Sequence, residues 1–134
     1  MHTMTSRIAT IAIDALEPRP VADFWCAVLG WQVLEEDESG VSIGPADGSW
    51  PTIDVLRVPE GETKTVKNRV HLDLRADGVT TEDELARLLA LGARPTDVGQ
   101  PAEATWVVLS DPEGNEFCLL SRTTQEMQQS STRG

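Results

Sequence analysis

The spacing of hydrophobic and polar positions changes several times along the chain, and each change predicts a new element. The segment RIATIAIDA, residues 7–15, is apolar and β-branched enough to form a buried strand. The next segment, EPRPVADFWCAVLG, has helical spacing, with one apolar stripe formed by Val21, Phe24, Trp25 and Val28. Its prolines suit the start of a helix, and Gly30 suits a left-handed residue after its end. The fold is therefore predicted to begin with a strand and a helix.

Three strands follow, and the same order of elements then returns. WQVLEE, GVSIG and PTIDVLRV predict the three strands, the last ending at residue 58. The charged stretch PEGETKTVKN, residues 59–68, is typical of a linker. RVHLDL then predicts a strand and TTEDELARLLALG a helix, in which Thr81 and Glu84 are spaced as a capping box. ARPTDV, TWVVLS and NEFCLLS predict the remaining strands.

The two halves look like copies of one unit. Each has a strand, a helix ending in Leu-Gly and three more strands, with a turn containing Pro, Asp and Gly before the last strand. Repetition on this scale is an architectural signal. It predicts one α+β domain over residues 7–122, with βαβββ repeats at 7–58 and 69–122. Residues 123–134 have no periodicity and predict a flexible tail. The alternative is a chance similarity between two helix–strand units.

Composition and charge exclude several classes of function. The chain has 134 residues, of which 40% are hydrophobic and 25% charged, as in a soluble single-domain protein. It contains no apolar run of the roughly 18 residues that a membrane helix needs, and its N-terminus has no signal-peptide core. A net charge of −11 disfavours nucleic acid as a partner. Two cysteines are too few for a disulfide framework, so we expect a cytoplasmic protein.

Three motifs carry a resemblance to a known family. VADFWCAVLGW, KNRVHLDL and LSDPEGNEFCLL resemble the vicinal-oxygen-chelate superfamily of glyoxalases, extradiol dioxygenases and bleomycin-resistance proteins. They are most similar to its actinobacterial glyoxalase-like domain proteins. The resemblance implies a curved eight-stranded sheet, four strands from each repeat, that encloses a cavity and has its helices on the outside. It also implies a homodimer.

In metal-dependent members of the superfamily, the first and last strands of each repeat supply four inward-facing ligands. On transfer to this chain, those positions fall on Thr10, on or near Leu56, and on His71 and Cys118. Only His71 matches a usual ligand, and Cys118 is an unusual substitute for a glutamate. A catalytic divalent site needs about three protein ligands. We therefore expect no metal cofactor in the usual positions. The alternative is a divalent metal held by His71 with Asp54, Asp73 or Glu116 as shifted ligands.

Strand alternation gives an independent prediction of the cavity lining. In RVHLDL the apolar set must lie under a helix, so His71 and Asp73 should face the cavity. The same reasoning applied to the other strands, with tryptophan as a stacking surface for a planar ligand, predicts a lining formed by Thr10, Asp54, Leu56, His71, Asp73, Trp106, Glu116 and Cys118.

Three functions follow from these observations. The leading hypothesis is a glyoxalase-like protein that binds a small organic molecule without the usual metal centre. It would sequester that molecule or act as a lyase or isomerase, with His71 as the catalytic proton shuttle. The alternative is a metal-dependent lyase or dioxygenase with noncanonical ligands that include His71. A third hypothesis is a non-catalytic dimerisation module. In each case His71 could instead be a structural residue that bonds a neighbouring carboxylate.

Overall fold

The computed structural model describes residues 6–59, 64–66, 68–97, 99 and 102–132. The chain divides between residues 63 and 64 into two compact units. The first contains β1, α1, β2, β3 and β4, which span Thr10–Ala15, Pro18–Leu29, Gln32–Asp37, Gly40–Gly44 and Thr52–Arg57. The second contains β5, α2, β6, β7, β8 and α3, which span Leu72–Leu74, Thr81–Leu91, Arg94–Pro95, Val107–Ser110, Glu116–Leu119 and Thr124–Thr132. None of the described helices is long and apolar enough to span a bilayer.

In the first unit the strands form a sheet in the order β1-β4-β3-β2. Strand β1 runs parallel to β4, and the other pairs are antiparallel. Helix α1 packs on β3 and β4 and buries Trp25 against a core that includes Ile43 and Val55. The helix ends as predicted, because Gly30 adopts the left-handed conformation with φ 68°, which costs glycine little.

The second unit has the same topology. Its strands form a sheet in the order β5-β8-β7-β6, with β5 parallel to β8 and the other pairs antiparallel. Leu88 of α2 and Phe117 of β8 are fully buried. The α+β class and the two βαβββ repeats are therefore confirmed, and the described part of the chain has eight strands in two four-stranded sheets. Enclosure of a cavity by those strands stays a prediction.

Two strands of the second repeat are shorter than the sequence predicted. RVHLDL pairs only over Leu72–Leu74, so His71 lies just before β5. Val70 is 82% exposed and does not lie under a helix as predicted. ARPTDV forms only the two-residue β6, and a single further backbone hydrogen bond, from the Thr96 N–H to the Val108 carbonyl at 3.0 Å, continues the pairing beyond it. Alternating apolar residues alone therefore overestimate how far these strands pair.

Helix α2 begins one residue earlier than the predicted capping box implies. Its N-cap is Thr80, whose hydroxyl accepts a hydrogen bond from the Asp83 N–H at 3.1 Å. The hydroxyl of Thr81 instead donates to the carbonyl of Ser121 at 2.9 Å. Thr81 therefore makes a tertiary hydrogen bond, and Thr80 accepts the hydrogen bond from the otherwise unpaired N–H in the first turn of the helix.

The predicted flexible tail is corrected, because Thr124–Thr132 form helix α3. Its start is a reciprocal cap: the Thr123 N–H donates to Glu126 Oε1 at 2.7 Å, and the Glu126 N–H donates to Thr123 Oγ1 at 3.1 Å. Gln125 Oε1 also accepts a hydrogen bond from the Gly78 N–H at 2.9 Å. The capping spacing TTQE was present in the sequence and was missed because the segment has no apolar stripe.

Candidate functional site

The predicted cavity residues of the first repeat share one face of their sheet. Thr10 lies beside Thr52 in the β1–β4 register, and Asp54 and Leu56 follow at alternate positions of β4. This face is opposite to the buried residues of β4. The hydroxyl of Thr10 is 2.8 Å from that of Thr52, and Asp54 Oδ1 accepts a hydrogen bond from the Ser42 hydroxyl at 2.7 Å. Both polar side chains therefore have partners within their own sheet.

In the second unit three predicted site residues come together. The parallel register of β5 and β8 pairs Asp73 with Cys118. His71 precedes Asp73 by two residues, on the same side of the chain. Nδ1 of His71 lies 3.0 Å from Asp73 Oδ1 and 3.9 Å from Cys118 Sγ. We refer to these residues as the His71–Asp73–Cys118 cluster.

The three side chains of the cluster differ in exposure. The side chains of His71 and Asp73 are 40% and 46% exposed, whereas Cys118 is only 6% exposed. The thiol therefore forms the floor of the cluster, and the ring and the carboxylate form its accessible rim. When the Nδ1–H of a histidine donates to a carboxylate, Nε2 is left as the basic nitrogen. The 3.0 Å contact with Asp73 is thus compatible with the Nδ1–H tautomer of His71, in which Nε2 is the nitrogen that can accept a proton.

Glu116, another predicted cavity residue, forms a buried ion pair. Its Oε2 lies 2.7 Å from Nζ of Lys64, and its Oε1 lies 2.8 Å from the same atom. The Asn68 N–H also donates to Oε2 at 3.4 Å. Burial raises the pKa of Glu116, but hydrogen bonds from Lys64 and from backbone N–H groups outweigh burial, so the net pKa is lowered. The carboxylate therefore stays ionised. Lys64, in the predicted linker, was not anticipated as its partner.

Two tryptophans offer flat surfaces. Trp106 lies just before β7 and is 36% exposed, as a stacking surface requires. Trp50, in the first unit, is 52% exposed, and the guanidinium of Arg7 lies 3.7 Å from the centroid of its ring. Such cation–π contacts orient an exposed indole.

The turn between β7 and β8 is organised by a buried carboxylate that sequence analysis did not single out. Asp111 is 1% exposed, and its Oδ1 accepts hydrogen bonds at 2.9 Å from the backbone N–H groups of Glu113 and Asn115. The side-chain amide of Asn115 donates to both of its oxygens. Asp and Asn are favoured in turns for this reason. The turn fixes the start of β8 and thus the position of Cys118.

The family's usual metal positions do not fit a metal in this chain. The side chain of Leu56 has no ligand atom, and the Thr10 hydroxyl is hydrogen-bonded to the hydroxyl of Thr52. The chemistry of the His71–Asp73–Cys118 cluster does fit one, because an imidazole nitrogen, a carboxylate oxygen and a sulfur lie within 4.8 Å of one another. On the sequence alone, His71 and Cys118 were the two possible ligands in the family's usual positions, too few to hold a metal. The structure adds Asp73 as a third donor, which the i, i+2 spacing with His71 had indicated.

Comparison with known proteins identifies the family. The family described as "Glyoxalase-like domain" matches residues 10–120. This chain belongs to that family. A search of curated proteins found no match.

Solved structures of the superfamily share the fold at low sequence identity. The fosfomycin resistance protein FosX from Listeria monocytogenes, a Mn(II) complex, is 14% identical with a TM-score of 0.64, covering 96% of this chain and 99% of that one. Leishmania major glyoxalase I is 14% identical with a TM-score of 0.64, covering 96% and 95%. TnmS3, an antibiotic binding protein from Streptomyces sp. CB03234, is 19% identical with a TM-score of 0.58, covering 91% and 100%. At these identities the likeness shows the fold alone.

Proposed function

We propose that this glyoxalase-like domain protein binds a small organic molecule at the sheet face that carries the His71–Asp73–Cys118 cluster. The observation that carries the proposal is the 3.0 Å contact between His71 Nδ1 and Asp73 Oδ1 on an accessible rim. A histidine held by a carboxylate in this way is oriented for proton transfer. The proposed roles are sequestration of the molecule, or a metal-independent lyase or isomerase reaction.

In the enzymatic form of the proposal, His71 is the proton shuttle and Asp73 its positioning residue. Nε2 takes a proton from the bound molecule, and the imidazolium formed is stabilised by the carboxylate that accepts its Nδ1–H. The same ring returns the proton at another atom of the substrate, as an isomerase or lyase requires. Positioned acid–base groups of this kind contribute about 10²–10⁴-fold to a rate.

The sequestering form is supported by a comparison and by the exposed aromatic surface. TnmS3, which shares the fold, is an antibiotic binding protein. Trp106 is exposed enough to stack on a planar ligand, and such stacking provides binding energy without any reaction. We also propose that the chain is most similar to the actinobacterial glyoxalase-like proteins, that it is cytoplasmic and that it forms a homodimer.

Ligand titration in the presence of a chelator tests the proposal. We expect tryptophan fluorescence to change on addition of at least one member of a panel of planar metabolites, and His71→Gln to weaken that binding or abolish turnover. Asp73→Asn should reduce turnover more than binding, because it acts through His71. A flat response to the whole panel, with a dimer seen by light scattering, would favour the non-catalytic dimerisation module.

A second candidate is a divalent-metal-dependent lyase or dioxygenase with noncanonical ligands. The three ligand atoms within 4.8 Å of one another favour it. When bound, a metal would polarise a substrate oxygen or activate water. Metal analysis of protein purified without chelator distinguishes the candidates. Stoichiometric metal that is lost in His71→Ala supports the second, and substoichiometric metal unaffected by the substitution supports the first.

A further inference from the structure

Two ligand atoms of different chemistry approach one nitrogen of His71. Oδ1 of Asp73 and Sγ of Cys118 approach Nδ1 at 3.0 Å and 3.9 Å. In a tetrahedral zinc site the ligand atoms lie about 3.4–3.6 Å apart, as follows from bond lengths of about 2.0–2.3 Å. Nδ1 is thus within about half an ångström of that spacing from each of the other two donors, and all three ligand atoms lie within 4.8 Å of one another.

Convergence on a single nitrogen distinguishes this cluster from a nucleophilic triad. In such a triad the base contacts the nucleophile through one ring nitrogen and the orienting carboxylate through the other. Here both Asp73 and Cys118 approach Nδ1, so the ring cannot take a proton from the thiol while it donates to the carboxylate. A cation that replaces the Nδ1 proton satisfies all three side chains at once.

We propose that the His71–Asp73–Cys118 cluster is a binding site for a thiophilic divalent cation of the zinc class. The proposal deepens the metal-dependent candidate above, on whose site it rests, by naming the class of ion. A thiolate ligand favours Zn²⁺ or Co²⁺, whereas oxygen ligands suit Mn²⁺ and Mg²⁺. All three donors belong to the second repeat, at β8 and at or just before β5. The site therefore needs no ligand from the first repeat.

The binding step has a defined proton and charge balance. Cys118 loses its thiol proton to solvent, and neutral His71 exchanges its Nδ1–H tautomer for the Nε2–H tautomer. One proton is thus released for each ion bound. The thiolate and the Asp73 carboxylate together neutralise the two positive charges of the ion. Three protein ligands leave a fourth position for water or a substrate oxygen.

Cobalt and zinc titrations of chelator-stripped protein, kept reduced without added thiols, test the proposal. We expect one equivalent of Co²⁺ to bind with a thiolate-to-cobalt charge-transfer band in the near ultraviolet, and Zn²⁺ to abolish that band. Mn²⁺ should compete at least about a hundredfold less well, because a thiolate is a poor ligand for it. Calorimetry in buffers of different ionisation enthalpy should report one proton released per ion.

Variants assign the donors. Cys118→Ser should remove the charge-transfer band and weaken Zn²⁺ binding by at least about tenfold, because one of three protein ligands loses its thiolate. Asp73→Asn alters an exposed side chain, so it should weaken binding while the fold and the band remain. Cys26→Ser and His2→Gln are the matched controls, because they replace the chain's other cysteine and other histidine and should bind Zn²⁺ as the wild type does.

Three outcomes would overturn the proposal: no stoichiometric binding of either ion, a charge-transfer band that survives in Cys118→Ser, or tighter binding of Mn²⁺ than of Zn²⁺. Circular dichroism of each variant shows whether a loss of metal binding reflects unfolding. If Cys118→Ser is unfolded, the Zn²⁺ affinity of Asp73→Asn decides whether the cluster is the binding site. The fluorescence titration in chelator tests organic-ligand binding separately. Failure of the zinc site therefore leaves that result unchanged, and failure of ligand binding does not alter the metal titration.

Discussion

Replacement of Lys64 by methionine tests the buried ion pair with Glu116. The side chains of Lys64 and Glu116 are only 18% and 8% exposed, and Nζ lies 2.7 Å from Oε2. Nζ also donates to the carbonyl of Val66. Methionine keeps most of the aliphatic stem but leaves Glu116 with the 3.4 Å contact to the Asn68 N–H as its remaining described side-chain hydrogen bond to another residue. The carboxylate then has to stay buried without its counter-charge.

The expected loss of stability is about 2–3 kcal/mol near pH 7. Removal of one partner from a fully buried pair costs about 3–5 kcal/mol, and the residual exposure of Lys64 places this pair below that range. The loss depends on pH. The pKa of Glu116 is lowered from 4.5 in the folded protein, so the pair stabilises the protein above that value and ceases to do so as pH falls through the folded pKa. Loss of Lys64 removes two of the contributions that lower the pKa of Glu116, so its pKa is higher in the variant than in the wild type, and the difference in stability between the two proteins shrinks as pH falls from 7 toward 4.

Urea denaturation followed by circular dichroism at pH 7 and pH 4.5 measures both effects. Lys67→Met is the matched control, because it removes the chain's other lysine and corrects for the change in net charge. Lys64→Met combined with Glu116→Gln should be more stable than Lys64→Met alone, because no buried charge remains. A loss below about 0.5 kcal/mol, or one that does not change with pH, would refute the assignment of this pair as a buried, stabilising contact.

Three further substitutions test the fold around the site, each by urea denaturation. Thr80→Ala should cost about 1 kcal/mol because it removes the N-cap of α2. An unchanged stability would indicate that Thr81, as in the predicted capping box, is the N-cap instead. Asp111→Ala should cost about 3 kcal/mol because two half-buried backbone N–H groups lose their acceptor, and a loss under 1 kcal/mol would contradict that role. Gly40→Ala should cost about 3 kcal/mol or more, because φ is 155° and a Cβ would clash with the carbonyl oxygen of Val55. Gly48 also has a positive φ, but the space around it is open, so Gly48→Ala should cost only about 1 kcal/mol.

Local signals explain which parts of the fold the sequence predicted. Helix α1 and its end at Gly30 were predicted because the apolar stripe and the left-handed glycine act within a few residues. Helix α3 was missed because it depends on the hydrogen bond between Gln125 and Gly78, 47 residues apart, and on a cap without an apolar stripe. The length of β5 was overestimated because exposure of Val70 is a tertiary property.

The candidate site shows the same division. The proximity of His71 and Asp73 follows from their spacing in one strand, and it was predicted. The approach of Cys118 to His71 depends on the parallel register of β5 and β8, which joins residues 47 positions apart. The pairing of Lys64 with Glu116 spans 52 positions and begins in a segment that the sequence indicated only as a linker. Contacts of that separation have no local pattern, so the sequence alone could not supply them.

The sulfur at the floor of the His71–Asp73–Cys118 cluster makes the handling of the protein part of any experiment on it. Elution from a nickel resin would load adventitious metal, storage in EDTA would strip whatever was there, and prolonged exposure to air would convert a soft donor into an oxidised, harder one. Two preparations of identical sequence would then differ in apparent activity because their metal content and the oxidation state of the thiol differ. An untagged, anaerobically purified sample is therefore the appropriate reference state.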